Sequence, residues 1–307
     1  MDVRIAFRSF VGLWAVLPFT VGAAIDAALS DQSNLFQNSV SVGVWILWGL
    51  VLGSSMIRQP WGLTLMRIVA PSTVPTLLIV NSIGTLSIPS FALAVAHAAI
   101  ACLLAFLPET GNVMVDGLSY GDERRFLLRA PGPILFGPLI LVWVLVVLGS
   151  TSGPLLLASR DWPLGIALTA VGWPTAILGV RSLHQLARRW LVFVPNGFVI
   201  HDYLAAREPF LLRKQDLSSF GPAAADLDTD DPDLIDVSQL APGPVLHVTL
   251  HGEVEVVPRA RGASEVKVVK AVLFSPTRPG SVLRAVSYTH LRAHETDSYL
   301  VCRLLLE

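Results

Sequence analysis

The chain has 307 residues, 53% of them hydrophobic and 15% charged, with a mean hydropathy of +0.61 and a formal net charge of −1. Ordinary soluble domains carry about 25% charged residues, so these values exclude the common water-soluble class. The near-zero net charge also removes any general electrostatic basis for binding nucleic acid or an acidic substrate.

A helix that crosses a hydrocarbon core of about 30 Å needs about 20 mostly apolar residues. Six runs meet that need, at 9–29, 40–57, 61–83, 88–107, 133–150 and 163–180. The third contains Pro71 and Pro75 and the sixth Pro174, which spans tolerate because neighbours re-satisfy the freed carbonyls. Arg4 and Arg8 precede the first run, as in a signal peptide. That run is nevertheless long, carries Asp26 near its end and is followed by more spans, so a retained first span is expected.

Orientation follows from arginine, because short cytoplasmic loops carry the excess of positive residues. With the N-terminus inside, Arg4, Arg8, Arg58, Arg124, Arg125, Arg129, Arg181, Arg188 and Arg189 fall on the cytoplasmic side and only Arg160 falls outside. Six spans return the C-terminus to the cytoplasm as well. The longest connection, 108–132, contains Asp-Gly and Tyr-Gly turn signals and predicts a small cytoplasmic hairpin. Its Asp122, Glu123 and Arg124 are expected as a solvated, charge-paired surface rather than as catalytic groups.

Beyond Arg189 the pattern changes to short alternating segments. WLVFVPNGFVIHDYL predicts two strands joined at Pro195, Asn196 and Gly197, with Asn-Gly supplying the positive φ angles of a tight turn. Further strands are expected at 209–213, 245–251, 254–257 and 266–274, with a turn near Gly252. SPTRPGSVLRAV reads as a helix start capped by Ser275 or Thr277.

The Arg-Arg-Trp membrane exit, the LVFVPNGFVIHD hairpin, the basic stretch EPFLLRKQDLSSF and a helix after strands together resemble the bacterial PH-like domains found beside transmembrane helices. The resemblance covers 188–285 and implies a small curved β-sheet domain closed by a C-terminal helix, with the acidic loop 223–238 as a departure. As a whole the chain resembles uncharacterised membrane proteins of high-GC bacteria, a source that nineteen arginines against three lysines fit. The resemblance implies the bacterial inner (plasma) membrane. The expected fold class is a membrane α + β protein: a six-helix transmembrane bundle over 1–187, followed by a PH-like β domain truncated at its C-terminal helix.

The last segment, VSYTHLRAHETDSYLVCRLLLE (286–307), offers His290, His294, Glu295 and Cys302 to a metal-site reading. It resembles instead translated sequencing-adapter sequence. VSYTHLRAHET matches one frame of a transposase-end adapter, LVCRLLL matches the flow-cell primer that follows, and Asp297, Ser298 and Tyr299 stand where a sample index would. The segment is therefore expected to have no place in the fold, and the native chain to continue differently past about Arg284. Cys102 is then the one native cysteine, and no disulfide framework is expected.

Ionisable side chains within spans cost several kcal/mol at the bilayer centre and point to function by default. Asp26, Arg67 and His97 qualify. Arg67 lies roughly 8 Å into its span and can snorkel to the headgroups. Asp26 sits near the outer end of the first span, and His97, the deepest, is expected to bond a neighbouring helix as a neutral imidazole. Gly49 and Gly53 form a GxxxG expected to bring two helices close. DLDTDDPDLID resembles a calcium loop through Asp226, Asp228 and Asp230. Asp231 stands where glycine is needed and Val237 where a bidentate glutamate is needed, so a disordered acidic loop is expected. His247 and His251 are expected on one solvated strand face with Thr249. No catalytic, cofactor-binding or metal-binding motif is recognisable.

These readings converge on an integral membrane protein acting as a membrane-anchored binding or assembly module, without enzymatic activity, cofactor or nucleic-acid partner. Its contacts with anionic lipid or a protein partner are expected from Arg207, Arg213, Lys214, Lys267 and Lys270. The alternative is a small proton- or solute-coupled transporter using Asp26 and His97, which needs polar groups converging at mid-membrane.

Overall fold

The computed structural model describes residues 3–84, 86–259 and 266–286, and the chain divides into two compact units. One comprises Met1–Leu118 and Pro133–Arg188, the other Ser119–Gly132 and Arg189–Glu307. The adapter-like residues 287–307, with the histidines, glutamate and cysteine singled out there, lie outside the described residues. Val286, the first residue of that segment, is buried in the core of the second unit.

The first unit is helical. Its elements are α1 (Val3–Val16), α2 (Val21–Ala28), α3 (Asn34–Ile57), α4 (Pro60–Ile83), α5 (Ile88–Phe106), α6 (Pro108–Asp116), the short α7 (Gly132–Leu135), α8 (Pro138–Ala158) and α9 (Trp162–Ala187). Six helices are long and apolar enough to cross a membrane: Arg4–Ala28, which joins α1 and α2, and α3, α4, α5, α8 and α9. Caps set several boundaries. The Ser33 hydroxyl accepts from the Phe36 N–H at the start of α3, and the Ser87 hydroxyl accepts from Ser90 at the start of α5. Arg58, at φ 51°, ends α3 in the left-handed region. The fifth span starts later than the apolar run suggests. Gly137 leaves the helical region at φ −132° and ψ −96°, so α8 begins at Pro138 and runs on to Ala158.

Close helix packing falls at a different glycine pair from the one the sequence singled out. A Cβ on Gly49 or Gly53 would meet nothing within 4 Å, so the α3 GxxxG makes no close approach. Gly149 and Gly153 of α8 do. A Cβ on Gly149 would lie 2.7 Å from the Gly172 carbonyl oxygen of α9, and one on Gly153 would lie 2.6 Å from the Thr169 amide nitrogen. Backbones this close leave no room for a side chain. Gly149→Leu is expected to destabilise the helical unit by about 1–3 kcal/mol, measured by detergent-induced unfolding, with Gly49→Leu near neutral.

The second unit is a β structure with a chain order the sequence did not suggest. Instead of a hairpin, the 108–132 connection contributes helix α6 and a single strand, β1 (Arg124–Leu127), which pairs antiparallel with β2 (Trp190–Val194). With β3 (Gly197–His201) and β4 (Phe210–Arg213) they form one sheet in the order β1-β2-β3-β4. The other sheet has the order β5-β7-β8-β6, built from β5 (Leu217–Pro222), β6 (Leu234–Asp236), β7 (Leu246–Val256) and β8 (Lys267–Phe274). Residues 279–286 are helical (α10).

Alternation explains the core. Leu191 and Phe193 of β2 face inward opposite Ile200 and Phe198 of β3, and Val248, Val269, Val272 and Phe274 bury against them. Burying such a side chain stabilises by about 1.5–3 kcal/mol. Two local expectations are corrected. The β2–β3 turn residues are Pro195 and Asn196, and Gly197 opens β3 at φ 149°, where its missing Cβ lets the Leu212 backbone approach. The two strands expected around Gly252 are one, β7, with a register irregularity between Thr249 and Val254. Pro279 opens α10, and the Ser275 and Thr277 hydroxyls that precede it donate to the Pro244 and Leu127 carbonyls.

Candidate functional site

In the helical unit, polar side chains gather where the first span breaks. Pro18 has no N–H for the Trp14 carbonyl, and its ring crowds that carbonyl. The helix therefore stops at Val16 and passes through a tight turn, Leu17–Phe19, before α2. Backbone groups freed in hydrocarbon need other partners. The Trp48 indole of α3 donates to the Trp14 carbonyl oxygen at 2.8 Å, and the Trp14 indole donates back to the Trp48 carbonyl oxygen at 3.1 Å.

His97 of α5 completes this brace. Its Nε2 lies 3.0 Å from the Leu13 carbonyl oxygen and its Nδ1 lies 2.6 Å from the Thr20 hydroxyl. A carbonyl only accepts, so Nε2 carries the hydrogen, and in the neutral ring Nδ1 accepts from Thr20. Only 8% of His97 is exposed, and both ring nitrogens are occupied.

Asp26 and Arg67 lie apart from it. The Asp26 side chain is exposed on α2 and has no hydrogen-bond or ion-pair partner among the described residues. It lines a groove of about 330 Å³ between the first and second spans that includes Pro18, Gln37, Ser41, Trp45 and Trp48 but not His97. Arg67 is half-buried with its guanidinium carbon 5.6 Å from the Phe106 ring centroid, and its Nε has no hydrogen-bond partner among the described residues. A polar contact the sequence did not flag joins α9 to α4, where His184 Nδ1 lies 2.9 Å from the Thr64 hydroxyl.

In the β unit the strongest electrostatic feature is Arg189, read from the sequence as part of a cytoplasmic positive cluster. It is 1% exposed. Its Nε and one terminal nitrogen donate to Asp202 Oδ2 at 2.8 and 2.6 Å, and further N–H groups donate to the Arg129 and Val237 carbonyls. Asp202 in turn accepts from the Leu204 N–H. One guanidinium thus ties together the segment after β1, the end of β3 and the end of β6.

The five basic residues expected to contact lipid or a partner fall on both sheets. Arg207, Arg213 and Lys214 flank or end β4, with Arg207 and Arg213 exposed. On β8, Lys267 donates to the Leu234 carbonyl at 2.6 Å. Lys270 pairs with Asp233 at 3.2 Å and Glu253 at 3.5 Å, and these carboxylates, Asp233 first, hold its ammonium above its ordinary range. The acidic stretch is partly built into the fold. Asp228 and Asp231 accept from backbone N–H groups two residues on, and Leu234–Asp236 forms β6, with Leu234 and Ile235 buried. Among the described residues no group of three or more His, Cys, Asp or Glu is placed to hold a metal ion. No family model, curated protein or solved structure matches this chain.

His247, His251 and Thr249 share the less buried face of β7, where Thr249 bonds the Ser219 hydroxyl at 2.6 Å. His247 is the less exposed of the two histidines. Its Nε2 is buried without a hydrogen-bond partner among the described residues, and burial holds its pKa below the ordinary histidine value. The unfolded chain then binds a proton more readily than the folded one, so stability is complete above about pH 6.5 and falls below it. The denaturant midpoint of the wild type is expected to drop between pH 7.5 and 5.5 by more than that of His247→Leu.

Proposed function

We propose that this chain is a multi-pass protein of the bacterial inner membrane whose β unit serves, on the cytoplasmic side, as a binding or assembly module. The observation that carries the reading is the pairing of β1 with β2. Strand β1 precedes the last two long helices and β2 follows them, and strands of one sheet share one side of a bilayer. Helices α8 and α9 must then cross twice. Four candidate spans precede β1, which returns the N-terminus to that same side, and the arginine distribution assigns that side to the cytoplasm.

The PH-like reading draws support from two four-stranded sheets around one core with a helix at 279–286. The parallel pairing of β6 with β8 departs from a purely antiparallel arrangement. The chain tethers this module at both ends of its inserted strand and again before β2. Arg207, Arg213 and Lys214, gathered around β4 with Arg207 and Arg213 exposed, are the basic residues that would meet anionic lipid or a protein partner; Lys267 and Lys270 bond within the unit. The occupied imidazole of His97, and a groove at Asp26 that stops short of it, favour an anchor over a transporter.

Full-length protein in nanodiscs tests both halves. Anionic lipid is expected to slow amide exchange at Phe210–Arg213, and Arg207→Glu with Arg213→Glu to abolish the slowing. Proton flux into proteoliposomes is expected to equal that of empty vesicles. Proton-coupled uptake lost on His97→Leu would overturn the anchor reading.

A further inference from the structure

We propose that the groove between the first two spans is a binding site for an amphipathic amine, with the Asp26 carboxylate receiving the ammonium and the aromatic floor receiving the apolar body. The groove is two-ended. Helices α2 and α3 are joined by a short connection and run antiparallel, so Asp26 lies opposite Gln37 and Ser41 near that connection, while Pro18 lies opposite Trp45 and Trp48. Asp26 and Pro18, eight residues apart, stand at the two ends of the groove and set the length of the ligand body.

Each end has its own chemistry. Asp26 is the one charged residue in the lining, and its side chain has no partner among the described residues. The Gln37 amide does not answer it, because that NH2 group donates to the Ser30 and Gln32 carbonyls of the connection, at 3.0 and 2.9 Å. The unmet group is therefore an acceptor that favours a cation. At the other end the Trp45 and Trp48 rings meet edge to face, 5.2 Å between centroids at 85°. The Trp48 ring is fixed by its bond to the Trp14 carbonyl, so the floor is preformed, and indole faces attract cationic and apolar groups alike. Beside them the broken helix presents Leu17 and Pro18 to the groove, where irregular backbone in a membrane is tolerated because it lines a cavity. The cavity volume lies at the lower end of the small-ligand range.

An ammonium with an apolar tail can come from the water phase or from the headgroup of an amino lipid, and the test separates the two. Tritiated octylamine is titrated onto the full-length protein in phosphatidylglycerol nanodiscs, with empty discs as background. Saturable binding is expected, weakened about tenfold or more by Asp26→Asn and retained by Asp26→Glu. Trp45→Ala is expected to weaken it as well, and octanol not to compete. Unfolding midpoints of the variants, read alongside, separate loss of the site from loss of fold; the exposed, unpaired Asp26 is expected to be replaceable without loss of stability. Adding phosphatidylethanolamine to the discs displaces octylamine if the source is lipid and leaves it bound if the source is a free amine. Binding that fails to saturate, or that a well-folded Asp26→Asn retains in full, would overturn the proposal.

Discussion

Arg189→Ala is expected to cost the β unit about 3–5 kcal/mol, enough to unfold a domain of ordinary stability. The cost comes from what is left behind. Asp202, with its side chain fully buried, would keep a charge whose main partner is gone, and the Arg129 and Val237 carbonyls would lose their donor. Asp202→Ala should have a similar effect for the mirror-image reason. Replacing both residues by apolar side chains of similar volume, Arg189→Met with Asp202→Leu, should cost much less than the sum, because no buried charge remains. Urea unfolding of the full-length protein, followed by amide exchange in β2 and β3, reads these differences.

In the helical unit the largest effect is expected from Trp14→Ala, at about 3–5 kcal/mol. Trp14 is 1% exposed, stacks on Phe10 with centroids 5.7 Å apart, and bonds Trp48 in both directions. Truncation empties the space beside the break and removes the indole that donates to the Trp48 carbonyl, while the Trp14 backbone carbonyl keeps its bond from Trp48. His97→Leu removes the bond to the Leu13 carbonyl but keeps most of the volume, so about 1–2 kcal/mol is expected, in the range of interhelical hydrogen bonds in membranes. Both variants should still insert, since neither shortens a span nor adds a polar group to it. Titration with sodium dodecyl sulfate in mixed micelles gives the comparison.

The six long helices were legible because hydrocarbon demands a continuous apolar run, and such a run is written in consecutive residues. The β2–β3 hairpin was legible for the same local reason: alternation on both sides of Pro195–Gly197. The pairing of β1 with β2 was not, because RRFL is four residues long and its partner lies across three further helices, two of them long. Register between distant segments leaves no periodic trace. Strand β6 was hidden by its acidic flanks, since three residues cannot outweigh the surrounding aspartates. Arg189 was misleading in a different way: an arginine after a span satisfies the cytoplasmic positive bias whether it faces water or a buried aspartate. Asp26 and His97 stood out because they are ionisable groups in apolar runs. Pro18 gave no such signal, since spans tolerate proline, and only the structure assigns the carbonyl it frees to Trp48.

The most direct test of the account is the side of the membrane on which each connection lies. Reporter fusions at Gln37 and Ser159 are expected to report the outside, and fusions at Gln59, Asn112 and Asp216 the cytoplasm. Asn112 and Asp216 must agree with each other, because the segments that follow the fourth and sixth spans are paired in one sheet through β1 and β2. A cytoplasmic signal at Ser159, or opposite signals at Asn112 and Asp216, would contradict it.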